Sequence, residues 1–128
     1  MKPILSELVI RDQSPDSQDV QAALERVQRE IAACALCVEA GFIPVSRPVF
    51  QGRVGQRLMI VGQAPGPSSG QRGVPYTGAT GKTLQRWLER AGFPPGTLHR
   101  DFYLTSLTKC FPGPATGRSG KEIGRAHV

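Results

Sequence analysis

Apolar residues recur at helical spacing in the first third of the chain. The positions that share one helical face are Val20, Leu24, Val27 and Ile31. Just before them, Ser14 is suited to accept a free backbone amide, and Pro15 needs no N–H partner at a first helical position. The pattern predicts a helix from Ser14 to about Ala33. Cys34 and Cys37 would then lie at the end of this helix.

The middle of the chain predicts a strand, a helix and a second strand. Residues 58–61 form a short apolar run bounded by glycines, as in a buried parallel strand. A helical stripe follows at Leu84, Trp87, Leu88 and Ala91. Gly92 stands where a helix commonly ends, and residues 102–107 read as the second strand. Strand, glycine-rich loop, helix and strand together predict an α/β fold with a parallel sheet, whose ligands bind at the carboxyl ends of the strands.

Length, charge and hydropathy limit the size, the partners and the location that can be expected of this protein. The 128 residues suffice for one modest domain, in which residues 1–13 are expected to be a loosely attached leader. The net charge of +6 favours a polyanion such as nucleic acid, although a solvated basic face would give the same count. We find no apolar stretch of membrane-spanning length, and acidic residues stand where a signal peptide would be apolar, so a cytoplasmic protein without a membrane partner is expected. We also expect it to be a monomer.

Three cysteines suggest metal chemistry. Cys34 and Cys37 are two residues apart and can bind one metal centre from a single turn, with Cys110 as a third thiolate. His99 or His127 would be candidates for the fourth ligand of a zinc site. The competing interpretation is that Cys110 is a buried thiol that packs as a small apolar residue.

The segment Gly78-Ala79-Thr80-Gly81-Lys82-Thr83 superficially resembles a phosphate-binding loop. The Walker pattern requires a glycine five residues before Gly81, and this chain has Tyr76 there. We therefore interpret the segment as a glycine-rich helix entry, with Lys82 in solvent or near a DNA phosphate.

Two glycine-rich loops are the most informative stretches. In Gly62-Gln63-Ala64-Pro65-Gly66 the glycines allow backbone amides to approach a ligand closely. In the second loop, Tyr76 is flanked by glycines and is suited to stack on a planar base, or to anchor the loop as an ordinary surface aromatic.

Four motifs together resemble the iron–sulfur uracil-DNA glycosylases of family 4 in order and spacing. They are Cys34-x2-Cys37, Met59-Ile60-Val61-Gly62-Gln63-Ala64-Pro65-Gly66, Gly73-Val74-Pro75-Tyr76-Thr77-Gly78 and Tyr103-Leu104-Thr105-Ser106-Leu107-Thr108-Lys109-Cys110. The resemblance spans residues 22–113. It implies a three-layer α/β/α fold with a central parallel sheet, and hydrolysis of the N-glycosidic bond of uracil in DNA, which leaves an abasic site during repair.

The resemblance also implies a cofactor and a set of site residues. A structural [4Fe–4S] cluster would be held by Cys34, Cys37 and Cys110, and no cysteine follows Cys110 to supply the family's fourth ligand. Among the substrate-binding residues Gly62, Gln63, Ala64, Pro65, Gly66, Tyr76 and Ser106, the resemblance gives three distinct roles. Tyr76 would stack on the uracil, the catalytic pair Gln63 and Ala64 would face the scissile bond and the base oxygen, and Ser106 would recognise the base.

Two residues depart from the family pattern, which commonly has a carboxylate in place of Gln63 and an asparagine in place of Ser106. A glutamine orients water but does not deprotonate it, and a single hydroxyl distinguishes uracil from cytosine less well than an amide does. These departures leave open a non-catalytic nucleic-acid-binding relative. A zinc or redox protein built on the cysteines is a third alternative.

The end of the chain departs further. Residues 14–121 are expected to be the N-terminal part of a glycosylase-like domain, cut off before the family's late histidine loop. Residues 122–128 have the sequence expected from a translated sequencing adapter, so we interpret them as a non-native tail and His127 as unrelated to catalysis.

Overall fold

The computed structural model describes residues 17–114. Seven helices and strands follow one another in this part of the chain. They are α1 (Ser17–Ala32), α2 (Leu36–Glu39), β1 (Leu58–Gly62), α3 (Pro67–Arg72), α4 (Ala79–Arg90), α5 (Thr97–Asp101) and β2 (Phe102–Ser106). The expected helix start at Ser14 and Pro15, the expected leader and the expected non-native tail lie outside the described residues.

The two strands form a parallel pair, as the sequence predicts. Leu58 aligns with Phe102, and the register continues to Gly62 opposite Ser106. On its other side, β2 forms an antiparallel bridge between Leu104 and Gln51. The carboxyl ends of both strands therefore meet at one edge of the sheet, where ligands bind in α/β folds.

The core lies on one face of this sheet. Leu98, Phe102 and Leu104 are buried at its centre. The partly buried residues packed against them are Ile60, Tyr76, Leu84 and Leu88. Since they come from α4, α5, both strands and the second glycine-rich loop, the apolar contacts tie that loop to the sheet.

The opposite face of β2 contacts α1. Tyr103 points away from Leu104 because successive side chains of a strand alternate between faces. Gln28 of α1 donates hydrogen bonds from Nε2 to the Tyr103 hydroxyl (3.3 Å) and to the Gly52 carbonyl (3.0 Å). Helices thus contact both faces of the sheet, which is the α/β class with a parallel sheet that the sequence predicts, in an incomplete form.

Strand β1 differs from the buried strand that its apolar run predicts. The side chains of Leu58, Met59 and Val61 are 46%, 59% and 52% exposed. Met59 and Val61 face away from the core, and no other described element covers them. Trp87, predicted on the apolar stripe of α4, is also 62% exposed.

Candidate functional site

A cavity of about 610 Å³ opens at the carboxyl ends of β1 and β2. It is lined by Val49, Gly62, Gln63, Ala64, Pro65, Gly66, Pro67, Ser68, Ser69, Pro75, Tyr76, Gly78, Ala79, Thr80, Gly81 and Ser106. The seven substrate-binding residues predicted from the sequence are all among them. The cavity is therefore formed by the two strand ends, both glycine-rich loops and the first turn of α4.

The loop after β1 is held by backbone hydrogen bonds that continue beyond the paired strands. The amide of Leu107 donates to the carbonyl of Gly62 (2.9 Å), and the amide of Thr108 donates to the carbonyl of Gln63 (3.0 Å). The Gln63 side chain is exposed and forms no hydrogen bond with another described residue. Its amide is thus available to a ligand or to water.

Tyr76 lies inside the cavity with a constrained backbone. Its φ of 56° is the only positive value among the described non-glycine residues. Such a conformation costs roughly 1–3 kcal/mol and persists only where the surroundings hold it. Burial raises the pKa of its phenol above 10.0, so the ring remains a neutral hydroxyl donor at physiological pH. A Cβ on Gly81 would stand 1.7 Å from the Tyr76 carbonyl oxygen, so only glycine fits at this position in the first turn of α4.

Gly62 lies next to the hydroxyl groups of both Tyr76 and Ser106. A Cβ on Gly62 would lie 2.8 Å from the Tyr76 Oη and 3.4 Å from the Ser106 Oγ. Ser106 is 7% exposed, and neither its hydroxyl nor that of Tyr76 forms a hydrogen bond with another described residue. Two free hydroxyl groups therefore meet at the end of β1, close to the exposed Gln63 amide.

Contacts that the sequence did not predict fix the loop around Tyr76. The Thr77 amide donates to the Ser69 Oγ (3.4 Å), and the Thr77 hydroxyl contacts the Ser68 hydroxyl (3.1 Å). The Nε2 of His99 donates to the carbonyl of Pro75 (2.8 Å). Serine and threonine hydroxyls commonly form such bonds near turns, whereas the 24-residue separation between His99 and Pro75 offers no local signal in the sequence.

The entry to α4 forms one wall of the cavity. Gly78 precedes the helix without a side-chain cap, and residues 78–81 line the cavity. Free amides at the start of a twelve-residue helix carry partial positive charge, which suits an anionic group. Lys82 is exposed, in agreement with its predicted place in solvent.

The three cysteines are free thiols in a separate region. Cys34 and Cys37 are half-buried, Cys110 is buried, and the hydroxyl of Ser46 contacts both the Cys34 carbonyl and, at 3.9 Å, the Cys110 Sγ. Three free thiols are donors that suit iron. The Ser46 hydroxyl lies between the Cys34 turn and the Cys110 thiol. The fit to a cluster is incomplete, because the described residues contain no set of three metal-binding side chains arranged around a metal ion. The Nε2 of His99, which the sequence offers as a candidate fourth ligand of a zinc site, donates to the Pro75 carbonyl at the cavity.

No helix in the described part of the chain is both long and apolar enough to cross a membrane.

Comparisons with known proteins identify the family. Residues 49–127 match the family model described as the uracil DNA glycosylase superfamily. A type-4 uracil-DNA glycosylase of Archaeoglobus fulgidus is 30% identical over 94 residues, which cover 70% of this chain and 43% of that protein. Proteins with the same name from Pyrobaculum aerophilum (39% over 62 residues, 48% of this chain and 30% of that protein) and Sulfurisphaera tokodaii (29% over 90 residues, 70% and 39%) are also similar.

The chain thus spans less than half the length of the curated relatives it matches. The family match begins at Val49 and includes both glycine-rich loops and β2. These are the segments that form the cavity, so sequence similarity and geometry coincide in the same part of the molecule. The chain belongs to the uracil DNA glycosylase superfamily, with similarity to its type-4 members.

Proposed function

We propose that this protein is a DNA-repair glycosylase, which hydrolyses the N-glycosidic bond of uracil in DNA and leaves an abasic site. The observation that carries the proposal is the convergence of an aromatic ring and unpartnered polar groups in one cavity: Tyr76, Ser106 and Gln63. A target base must leave the stack to be cut, and such a cavity supplies both stacking and hydrogen bonding to it.

Each residue has a distinct role in the proposed reaction. The Tyr76 ring stacks on the extruded base, and the Ser106 hydroxyl forms a hydrogen bond with its polar edge. As the bond breaks, the base gains negative charge and the sugar becomes cation-like. The backbone amide of Ala64 and the first amides of α4 stabilise that negative charge, while the Gln63 amide orients the attacking water.

Gln63 implies that leaving-group stabilisation dominates. A side-chain amide does not accept a proton from water at neutral pH, so general-base catalysis is not available at this position. Much of the barrier must then be lowered by groups that stabilise the departing base. The Ser106 hydroxyl and the free backbone amides in the first turn of α4, which line the same cavity, suit that task.

The proposed cofactor is a [4Fe–4S] cluster bound by Cys34, Cys37 and Cys110. Four thiolates normally hold such a cluster, and when bound it would supply a structural cross-link between distant segments. Support comes from the free state of all three thiols and from Ser46, which brings the Cys34 turn next to Cys110. A fourth ligand from outside these three cysteines is required.

The proposed partner is uracil-containing DNA, bound by a monomer in the cytoplasm. Exposed Arg53, Arg57, Lys82 and Arg86 contribute to the net charge of +6. Such side chains release counterions from DNA phosphates on binding, so affinity should fall steeply with salt. Free thiols are consistent with a reducing compartment.

The experiment compares binding with base release on the same DNA. The chain is incubated with single-stranded and duplex oligonucleotides that contain one uracil, or cytosine at the same position, and abasic sites are revealed by alkaline cleavage. We expect cleavage only at uracil, and much less of it with Tyr76→Ala. Gln21→Ala, an exposed change on α1, serves as the matched control and should leave cleavage unchanged.

A second function has specific support in Gln63 and Ser106, the two departures from the family pattern. A non-catalytic nucleic-acid-binding relative would bind the oligonucleotides in a salt-sensitive manner and release no base. That result would replace the glycosylase proposal with this one. Zinc rather than iron in the purified protein would instead support a zinc protein.

A further inference from the structure

His99 lies next to the cavity, yet the proposed reaction gives it no role. It is the third residue of α5, and its Nε2–H group donates a 2.8 Å hydrogen bond to the carbonyl oxygen of Pro75. Because a carbonyl only accepts, the proton must reside on Nε2. This bond connects α5 to the loop that carries Tyr76.

The Pro75 carbonyl is well placed to control Tyr76. It belongs to the peptide plane that contains the Tyr76 nitrogen, so fixing this oxygen fixes the plane from which the Tyr76 φ angle is measured. That angle is 56°, which an aromatic residue adopts only when its surroundings hold it there. The next carbonyl, that of Tyr76 itself, rests against Gly81. Both peptide planes that flank Tyr76 are therefore held from outside the loop.

His99 is itself firmly anchored. Thr97 and Leu98, which precede it, are 0% and 1% exposed. The Leu98 amide donates to the Gln85 Oε1 (3.1 Å), and the Gln51 Nε2 donates to the His99 carbonyl (3.2 Å). The imidazole therefore projects from a backbone that is fixed to α4 and to the core.

We propose that His99 is a positioning residue that holds the ring of Tyr76 in the orientation required to stack on a planar base. Its Nε2–H group stabilises the positive φ of Tyr76 through the Pro75 carbonyl, and the ring is then kept between the core and the end of β1. This inference rests on the proposed function, because it takes the cavity to be the site of the base. It adds a residue that never contacts the substrate but sets the geometry of one that does.

The test uses the full chain, free uracil as the probe, and NMR of the Tyr76 ring. In His99→Ala we expect the nuclear Overhauser effects between the Tyr76 ring and the methyl groups of Leu98 and Leu104 to weaken, and uracil to bind at least about tenfold more weakly. In His99→Gln, whose side-chain amide can reach the same carbonyl, both properties should be partly restored. Arg100→Ala changes an exposed neighbour on α5 and is the matched control.

The outcomes separate the inference from the function on which it rests. An unchanged Tyr76 ring environment in folded His99→Ala overturns the inference. If the wild-type chain binds no uracil but the ring moves in His99→Ala, the positioning role stands and the proposed function fails. If His99→Ala does not fold, the wild-type chain decides: a protected His99 Nε2 proton with an Overhauser effect to Pro75 supports the inference, and its absence overturns it.

Discussion

Individual residues at the end of β1 determine what the cavity can bind. Gly62 has no side chain, and this absence is what allows the Tyr76 and Ser106 hydroxyls to approach the same point. The motif that contains Gly62 was recognised from the sequence. The reason that the position requires glycine came only from the structure, because it depends on a tyrosine 14 residues away.

Gly62→Ala should therefore abolish base binding while the fold persists. The new methyl group would stand 2.8 Å from the Tyr76 Oη, so the ring must move out of its place in the cavity. Gln21→Ala, an exposed change on α1 away from the cavity, is the control. Uracil titrations followed by NMR compare the two variants, and equal affinities would contradict the proposed arrangement.

Gln63→Glu should accelerate base release. The two side chains have nearly the same shape, and Gln63 is exposed, so the change adds a general base with little strain. General-base catalysis contributes about 10²–10⁴-fold where it is well placed, and we expect at least about tenfold in single-turnover rate. The gain should disappear as pH falls below about 4, where a glutamate becomes protonated. A slower Gln63→Glu variant would show that Gln63 does not contact the water.

At the scale of elements, the sequence predicted α1, β1, α4 and β2 and missed the short helices. Periodicity requires several turns to be visible, so the four to six residues of α2, α3 and α5 carry too little pattern. Seven of the sixteen cavity residues were predicted, through the family resemblance that the two glycine-rich loops and β2 carry. Others, such as Val49 and Ser69, were missed. His99 and Ser46 were missed as contact residues because their partners are distant in sequence.

Unequal burial of the two strands predicts unequal sensitivity to mutation. Leu104→Ala removes a fully buried side chain from β2 and should cost about 2–5 kcal/mol of unfolding free energy. Val61→Ala alters a side chain that is 52% exposed on β1, and should cost less than about 1 kcal/mol. Urea denaturation of both variants checks this difference. Similar losses would indicate that the outer face of β1 is covered in solution.

The carboxylate at the end of α5 predicts how stability depends on pH. The Arg100 guanidinium, and then the Thr97 hydroxyl, hydrogen-bond Asp101 and lower its pKa from 3.8 to about 2. Because the folded-state pKa is depressed, this contribution is fully present above pH 3.8 and is lost as the pH falls through about 2.

Thermal unfolding of wild type and Asp101→Asn should therefore differ above pH 4 and converge near pH 2. The ion pair is about half exposed, so the difference should be small and should shrink at high salt. A difference that grows as the pH falls would contradict the assigned direction.

At the scale of the whole molecule, the cavity and two of the three cysteines come from different parts of the sequence. The cavity is formed by the segments that match the superfamily model, whereas two of the three cysteines precede that match. The sequence linked cysteines and cavity only through the family resemblance, because neither spacing nor periodicity joins residues 34 and 110. In the structure, Ser46 and the hydrogen bond from the Val49 amide to the Lys109 carbonyl (2.8 Å) provide that link.

The cluster proposal predicts the iron content of cysteine variants. After anaerobic reconstitution, Cys34→Ala and Cys110→Ala should each bind much less iron per chain than the wild type, because each removes one thiolate ligand. Ser46→Ala keeps all three thiols and should retain more iron than either variant. Equal iron content in all four proteins would show that iron binds nonspecifically.

The central claim, that the cavity releases uracil from DNA, is tested most directly by measuring free uracil itself. A single-turnover reaction combines excess protein with an oligonucleotide that contains one isotopically labelled uracil. We predict one labelled uracil released per strand by the wild type, and at least about tenfold slower release by Tyr76→Ala and Gly62→Ala. DNA that is fully bound by the wild type but releases no uracil would contradict the claim.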